Sequence, residues 1–230
     1  MDLAAIEAAL APLGLIAFGG FHPTPGDGVP PMPDGQAVAS LVLVGNAGPG
    51  MWERCAGAPE LADGEADPLD RWTRRVLDRV AADLGAMAVF PFGGPPYLPF
   101  VRWAKRAAPV AESPLGILIH PDYGLWHAYR GALAFPDAIA LPPRDARPRP
   151  CDTCADKPCL TTCPVGAFTG ARYEVAACVK HISTEAGADC TALGCRARRA
   201  CPVGQSFHYA AAQARFHMDA FLRARLASAD

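Results

Sequence analysis

Apolar positions alternate between helical and strand-like patterns over residues 1–138. Apolar residues at helical spacing predict helices over residues 3–13, 67–84 and 100–108. Short apolar runs predict strands over residues 15–18, 37–44, 86–90, 115–120 and 128–135. Helices and strands that alternate at these lengths predict an α/β or α+β sandwich.

The regular pattern stops at residues 139–150, which are rich in proline and arginine. Such a composition cannot continue a helix or a strand, so it predicts a stiff linker. The chain therefore divides into a predicted domain over residues 1–138, this linker, and a cysteine-rich module over residues 151–230. Within the module, residues 205–227 have the pattern of a terminal helix, with Ser206 as its candidate cap.

Composition and charge bound the class of protein. Of the 230 residues, 51% are apolar, which is enough for a real core, and the formal net charge is −2. A charge this small implies neither nucleic acid nor an anionic membrane as a partner. The chain begins Met-Asp-Leu-Ala, which does not resemble a signal peptide, and no apolar run approaches the ~20 residues of a membrane span. We predict a cytoplasmic protein without membrane contact.

Eight of the nine cysteines lie in two groups that both end in Cys-Pro-Val-Gly. The first group reads Cys151-Asp-Thr-Cys154-Ala-Asp-Lys-Pro-Cys159-Leu-Thr-Thr-Cys163-Pro, and the second comprises Cys178, Cys190, Cys195 and Cys201-Pro. A C-x2-C step, a third cysteine and a final Cys-Pro resemble the bacterial iron–sulfur run, in which the fourth cysteine ligates the other cluster. The proline helps the chain leave the loop because it fixes its own φ and disfavours αR in the preceding cysteine.

This spacing predicts two [4Fe–4S] clusters with interleaved ligands. One predicted ligand set is Cys151, Cys154, Cys159 and Cys201, and the other is Cys163, Cys178, Cys190 and Cys195. Two zinc sites are an alternative, although zinc knuckles usually pair two C-x2-C hooks and only Cys151 and Cys154 form one here. A disulfide framework is a second alternative, and it needs an oxidising compartment. The ninth cysteine, Cys55, is most simply a buried thiol.

Two stretches resemble known families. Cys178-Val-Lys-His-Ile-Ser-Thr-Glu185 resembles a segment of epoxyqueuosine reductase, a cobalamin-dependent enzyme with two [4Fe–4S] clusters. Ile119-His-Pro-Asp-Tyr-Gly-Leu-Trp-His-Ala-Tyr-Arg-Gly131 is similar to a stretch of the CblC-type cobalamin-processing protein, a distant relative of that reductase and of flavin nitroreductases. The chain also resembles short bacterial proteins labelled ferredoxins. The resemblance implies an α+β fold: a nitroreductase/CblC-like α/β sandwich, then a ferredoxin-like two-cluster module and a C-terminal helix.

The resemblance also implies a pocket for cobalamin or flavin beside the clusters. Its candidate residues are His120, Tyr123, Gly124, Trp126 and Arg130. The alternative is structural: the His-Pro step makes a turn, the tryptophan packs in the core, and the arginine pairs with a surface acid. In the region of the reductase's acidic proton donor this chain offers only Glu112, and it is much shorter than the reductase. We therefore do not expect full epoxyqueuosine reduction, and we assign no catalytic residue.

These observations predict an iron–sulfur protein that moves one electron at a time. It would be a ferredoxin-like carrier that exchanges electrons with a redox partner protein, or that delivers them to a cofactor or substrate held by the N-terminal domain. The alternative is an enzyme, a cobalamin- or flavin-dependent reductase related to epoxyqueuosine reductase and thus a corrinoid-dependent oxidoreductase. A zinc-stabilised binding module is the second alternative. No nucleic-acid partner is expected.

Overall fold

The structure of the chain, a computed structural model, describes residues 1–227. Its contacts divide the chain into two units. Met1–Pro109 with His127–Ala146 form the first, which we call the sheet unit, and Val110–Trp126 with Arg147–Asp230 form the second, the cysteine unit. Among the described residues, no helix combines the length and the apolar composition that crossing a membrane requires.

The sheet unit is built on an antiparallel sheet. The strands of residues 1–227 are β1 (Ile16–Phe21), β2 (Ser40–Ala47), β3 (Met87–Val89), β4 (Ala111–Glu112), β5 (Leu118–Ile119) and β6 (His127–Phe135). The sheet has the order β1-β2-β6-β3, and each neighbouring pair is antiparallel. Strands β4 and β5 form a separate hairpin in the cysteine unit. The fold is therefore a mixed α+β fold with a small antiparallel sheet.

Most of the helices are short. The helices of the described residues are α1 (Leu3–Leu10), α2 (Gly50–Cys55), α3 (Pro59–Ala62), α4 (Pro68–Asp83), α5 (Phe100–Ala107), α6 (Pro158–Thr161), α7 (Val175–Ile182), α8 (Ala188–Leu193), α9 (Arg196–Arg199) and α10 (Ala211–Leu226). Single turns of 3₁₀ helix cover Ala11–Leu13, Pro25–Asp27, Pro150–Asp152, Glu185–Gly187 and Gln205–Phe207. Helices α6 to α9 follow one another through the cysteine-rich stretch, so short turns rather than a sheet hold the cysteines.

Helix α4 shows how the apolar pattern positions a helix on the sheet. It begins at Pro68, where a proline costs no hydrogen bond because the first N–H groups of a helix have no partner within it. One face is buried, namely Leu69, Trp72, Thr73, Val76, Leu77, Val80 and Ala81. That face contacts β3 and β6. Each large apolar side chain on it contributes about 1.5–3 kcal/mol by burial, so this helix is held by its apolar stripe.

Asp27 ties the loop after β1 to helix α5. Its side chain is buried, and it accepts hydrogen bonds from the backbone N–H of Thr24 (2.6 Å) and from the Thr24 hydroxyl (2.8 Å). It also pairs with Arg106, and its carbonyl accepts from Trp103 Nε1 at 2.8 Å. Burial alone would raise the pKa of Asp27, but the hydrogen bonds from Thr24 and Arg106 outweigh burial and lower it to about 2.

We expect Asp27→Asn to lower the free energy of unfolding by about 2 kcal/mol at pH 7, since each unit of pKa shift is worth about 1.36 kcal/mol. The pKa of Asp27 falls from 3.8 to about 2 on folding. The stabilisation is therefore complete above the unfolded value and is lost as the pH falls through the folded one. Urea unfolding of the two proteins should differ at pH 7 and converge toward pH 2. A difference independent of pH would contradict this assignment, and the exposed Asp137→Asn is the control.

Residues 110–126 group with the cysteines by their contacts, although they lie inside the predicted first domain. Leu115, in the β4–β5 turn, and Ile119, on β5, are buried in one apolar cluster with Cys159 and Cys201. The hairpin is thus part of the core of the cysteine unit. The domain boundaries predicted from the sequence stay predictions, but a description of the cysteine module has to include this hairpin.

The terminal helix α10 begins at Ala211, so the predicted start at residue 205 is wrong. The segment before it is occupied by aromatic packing. His208 lies against Trp126 with ring centroids 4.3 Å apart, and Tyr209 meets the same indole edge to face at 5.3 Å. Tyr209 is buried, and the backbone at His208 is extended rather than helical. A helix that began at residue 205 would lose these contacts with Trp126. The apolar pattern of residues 205–210 does not indicate such contacts.

Candidate metal centre

The first cysteine pocket is a small cavity in the cysteine unit. About 310 Å³ of space lies within it, part of it open to solvent, and its lining includes four cysteines from two distant stretches. Its lining residues are Pro114, Ile119, Pro150, Cys151, Cys154, Lys157, Pro158, Cys159, Cys201, Pro202 and Val203. Apart from the sulfurs and Lys157, this lining is apolar. The four cysteines are the same four that the sequence groups into one predicted ligand set.

The second cysteine pocket has the same size, also about 310 Å³, and also has four cysteines. Its lining residues are Cys163, Pro164, Val165, Phe168, Cys178, His181, Ile182, Cys190, Cys195, Arg196, Ala197 and Met218. These cysteines are the other predicted set. The structure therefore brings the eight cysteines together four by four, with Cys201 beside residues 151–159 and Cys163 beside the later cysteines.

Short helical turns and a shared core hold the sulfurs in place. Cys159, Cys178 and Cys190 lie on α6, α7 and α8, and α9 spans the gap between Cys195 and Cys201. One apolar cluster includes the buried Cys159 and Cys201 of the first pocket, and Cys163 and Cys195 of the second pack against it. The two pockets thus share one core, in which displacing one loop disturbs the other.

Several sulfurs accept hydrogen bonds, as thiolates bound to a metal commonly do. The backbone N–H of Ala167 donates to Cys163 Sγ at 3.3 Å. The backbone N–H of Val203 donates to Cys201 in the first pocket. In the second pocket the Tyr173 hydroxyl lies near the Cys178 sulfur and lowers its pKa, against the effect of burial.

Burial raises the pKa of most of these thiols. The effect holds for Cys151, Cys159, Cys178, Cys195 and Cys201, and in each case burial is the largest cause. Since the thiolate is the form that binds metal, metal binding at these pockets has to displace protons.

The residues of the pockets fit an iron–sulfur cluster by their donor set. Within residues 1–227, no group of three or more His, Cys, Asp or Glu side chains is arranged to hold one metal ion. In a zinc site every thiolate lies about 2.3 Å from a single ion, whereas in a cubane each thiolate binds a different iron. Four cysteine sulfurs around an apolar cavity are the donor set of a [4Fe–4S] cluster. The ligand assignment itself stays a prediction.

His120 and Gly124 form a tight turn that packs on the last cysteine loop. His120 is buried, and its Nδ1 accepts from the backbone N–H of Asp122 at 3.1 Å. Gly124 has a φ of +55°, and a Cβ there would lie 2.0 Å from the carbonyl oxygen of Val203. Tyr123 stacks on the imidazole of His120 with centroids 4.5 Å apart. In their described contacts these three candidate pocket residues support the loop that follows Cys201.

Trp126 is buried in an aromatic cluster of the cysteine unit. Tyr209 packs against it, and the Arg198 guanidinium lies 4.4 Å from the indole centroid. Arg198 also donates two hydrogen bonds to the carbonyl of Leu125, at 3.0 and 2.6 Å. The Trp126 Nε1, the His208 Nε2 and both amide atoms of Gln213 are buried without a hydrogen-bond partner among residues 1–227. Buried polar atoms of this kind call for a partner.

Arg130 lies in the sheet unit, on β6, and not with the other four candidate residues. Its Nε donates to the Asn46 side chain at 3.2 Å. The ninth cysteine, Cys55, is in the same unit and is fully buried. Burial raises the pKa of Cys55 to about 11, although the charge of Arg130 opposes the shift. This places Cys55 apart from the eight cysteines of the pockets, and it agrees with the simplest prediction for an odd cysteine. Glu112 lies on β4, in the other unit.

Sequence reasoning missed two side chains of the second pocket, Tyr173 and His181. His181 could have been found, because it follows Cys178 by three residues on a helix and therefore shares its face. Tyr173 left no such signal. Its ring stacks on Phe168 with centroids 4.5 Å apart, which depends on a turn that the local pattern does not specify.

The chain was compared with known proteins. No family model matches it, and no curated protein does. Among solved structures, epoxyqueuosine reductase with a tRNA-Tyr epoxyqueuosine-modified tRNA stem loop is 15% identical, with a TM-score of 0.49 over 90% of this chain and 66% of that one. Epoxyqueuosine reductase from Bacillus subtilis is 16% identical, with a TM-score of 0.47 over 89% and 65%. The B12-trafficking protein CblC from C. elegans is 14% identical, with a TM-score of 0.44 over 94% and 90%.

The chain spans about half to two thirds of the epoxyqueuosine reductases it matches, 52% of one and 66% of another. These likenesses are structural and come with little sequence identity. At such TM-scores they assign neither a family nor an activity to this chain.

Proposed function

We propose that this chain is an iron–sulfur redox protein that holds two [4Fe–4S] clusters and transfers single electrons. One observation carries the proposal: eight cysteines line two pockets, four in each, in the interleaved order of a two-cluster module. A redox partner protein would donate or accept the electrons. The proposal assigns the first cluster to Cys151, Cys154, Cys159 and Cys201, and the second to Cys163, Cys178, Cys190 and Cys195.

The residues around the sulfurs have separate tasks in this proposal. The cysteines bind the metal, and each cluster supplies one-electron chemistry when bound. Pro114, Ile119 and Val203 cover the first pocket and limit the access of water. Phe168 and Ile182 do the same for the second. Water exclusion and hydrogen bonds to sulfur are the means by which a protein adjusts the potential of a cluster.

The proposal is tested by the metal content of protein purified without oxygen. We expect about eight irons and eight sulfides per chain, with a broad absorption band near ~400 nm that bleaches on reduction. About two zinc ions in a colourless protein would overturn the redox proposal and would favour the zinc-stabilised binding module. Iron, acid-labile sulfide and zinc should be measured on the same sample, so that mixed occupancy is recognised.

A second candidate function is a cobalamin- or flavin-dependent reductase that uses the same clusters as its electron source. The observation that favours it is the group of buried, unpartnered polar atoms at Trp126, His208 and Gln213, which a bound molecule would satisfy.

The two candidates differ in whether the protein retains a cofactor. Protein should be incubated with aquacobalamin or with FMN and then passed over a desalting column without oxygen. Retention of about one corrinoid or flavin per chain, lost in Trp126→Phe, would favour the reductase, because this variant keeps the aromatic packing and removes only the N–H donor. Passage of both compounds without retention would favour the carrier. Binding of a tRNA stem loop should be measured in parallel, where we expect none.

A further inference from the structure

The two cysteine pockets differ in the polar side chains that face their sulfurs. In the first pocket these are cations in contact with solvent. Lys157 is exposed, and so is Arg149, which lies near Cys151 and pairs with Asp152 at 3.7 Å. Exposed charges are screened by water and salt, so their influence on a buried site is weak. The second pocket also has an exposed cation, Arg196, which pairs with Asp189 at 2.6 Å. In addition, Tyr173 and His181 lie close to its sulfurs.

Ring contacts hold Tyr173 with its hydroxyl near the Cys178 sulfur. The ring stacks on Phe168 at an interplanar angle of 11°, and the backbones of these two residues form a β-bridge. The ring of Phe221 also stacks on the Tyr173 ring, with the two centroids 6.4 Å apart. The hydroxyl lies near the Cys178 sulfur, and it is close enough to Cys163 and Cys195 to feel their charges. A phenol is protonated at neutral pH, so it donates to a thiolate.

His181 is the second donor. It lies three residues after Cys178 on α7, on the same helix face, and its ring lines the second pocket. Its Nε2 is buried and has no hydrogen-bond partner among residues 1–227. Leaving such an atom unpaired destabilises the folded protein. A cluster sulfur in the pocket would supply the missing acceptor.

Hydrogen bonds to a cluster favour its reduced form, because reduction adds negative charge to the sulfurs that accept them. We propose that Tyr173 and His181 raise the reduction potential of the cluster in the second pocket above that of the first, so that an electron entering the protein comes to rest on the second cluster. The inference depends on the proposed function, and it adds a direction of electron flow. Backbone N–H groups donate to sulfurs in both pockets, Ala167 to Cys163 and Val203 to Cys201, so the difference between the pockets comes from the side chains.

The test is a redox titration of both clusters, followed by electron paramagnetic resonance without oxygen. We expect Tyr173→Phe and His181→Leu each to lower one midpoint potential by about 59 mV, which is a tenfold change in a one-electron equilibrium, and to leave the other unchanged. His181→Gln, which keeps an N–H donor, should restore most of the shift. Tyr97→Phe is the matched control, since Tyr97 is exposed and lies in the sheet unit.

The shifted potential has to belong to the second pocket. Cys154→Ser removes a ligand of the first pocket only, and in that background Tyr173→Phe should lower the potential that remains. Full iron content with both potentials unchanged would overturn this inference and leave the proposed function intact. A shift confined to the first cluster, or loss of iron in Tyr173→Phe, would also overturn it. Wild-type protein without iron would overturn the proposed function and this inference together.

Discussion

Cys154→Ser is expected to contain about half of the wild-type iron and sulfide, about four of each per chain. Cys154 lines the first pocket only, so the second keeps its four sulfurs. A serine hydroxyl is a poor iron ligand at neutral pH, because its proton is far harder to remove than that of a thiol. Cys178→Ser should lose the other half, and the double variant nearly all.

The control for both variants is Cys55→Ser, in the sheet unit. The Cys55 sulfur contacts the carbonyl of Trp52 at 3.8 Å, so a serine hydroxyl there has an acceptor. We expect full iron and sulfide in this variant. Equal iron losses in Cys55→Ser and Cys154→Ser would contradict the assignment of the pockets. Complete loss of iron in either single variant would mean that the two clusters assemble only together.

Gly124→Ala is expected to lower the free energy of unfolding by about 4 kcal/mol and to cost the first cluster. The new Cβ would lie 2.0 Å from the Val203 carbonyl oxygen and 2.6 Å from its carbon, both backbone atoms that cannot rotate away. The left-handed φ of +55° adds about 1–2 kcal/mol, and overpacking adds about 1–3 kcal/mol or more. Val203 follows Cys201 by two residues, so the backbone shift moves a predicted ligand.

Gly116→Ala separates the steric part of this effect from the backbone part. Gly116 lies in the turn of the β4–β5 hairpin with a φ of +76°, and nothing lies within 4 Å of a Cβ built there. It should cost only about 1–2 kcal/mol and keep its iron. Urea unfolding and iron analysis of both variants provide the comparison. Equal free energies of unfolding and equal iron contents in Gly124→Ala and Gly116→Ala would show that a clash with Val203 does not contribute to the effect.

The sheet unit follows its sequence pattern closely. The predicted helix over residues 67–84 is α4, and the apolar run over residues 128–135 is most of β6. Both have long, periodic patterns whose apolar face is buried against neighbours. Helices α2 and α3 were not predicted, because they are only six and four residues long. Patterns of four to six residues do not distinguish a helical turn from a loop.

The cysteine pockets show how far spacing alone reaches. The spacing predicts which cysteines group together because ligand order in a two-cluster module is a property of the chain. The candidate pocket at residues 120–130 is a different case, since Gly124 packs on a loop nearly eighty residues later in the sequence. A glycine can be required because another backbone segment packs against it or because a cofactor does. The local sequence is the same in both cases, so it does not distinguish them. Tyr173 is missed for another reason, because its position depends on the turn that stacks it on Phe168, which the local pattern does not specify.

The order of the eight cysteines along the chain has a consequence for biosynthesis. The four cysteines of the second pocket lie between residues 163 and 195, inside the loop that Cys159 and Cys201 close. A ribosome that makes the chain from its N-terminus therefore releases a complete second pocket first, while the first pocket still lacks one sulfur. Delivery of the first cluster has to wait until residue 201 has left the exit tunnel. A chain that terminates before residue 201 would expose three thiols in an incomplete apolar pocket. We expect such a chain to be recognised and degraded by cellular proteases.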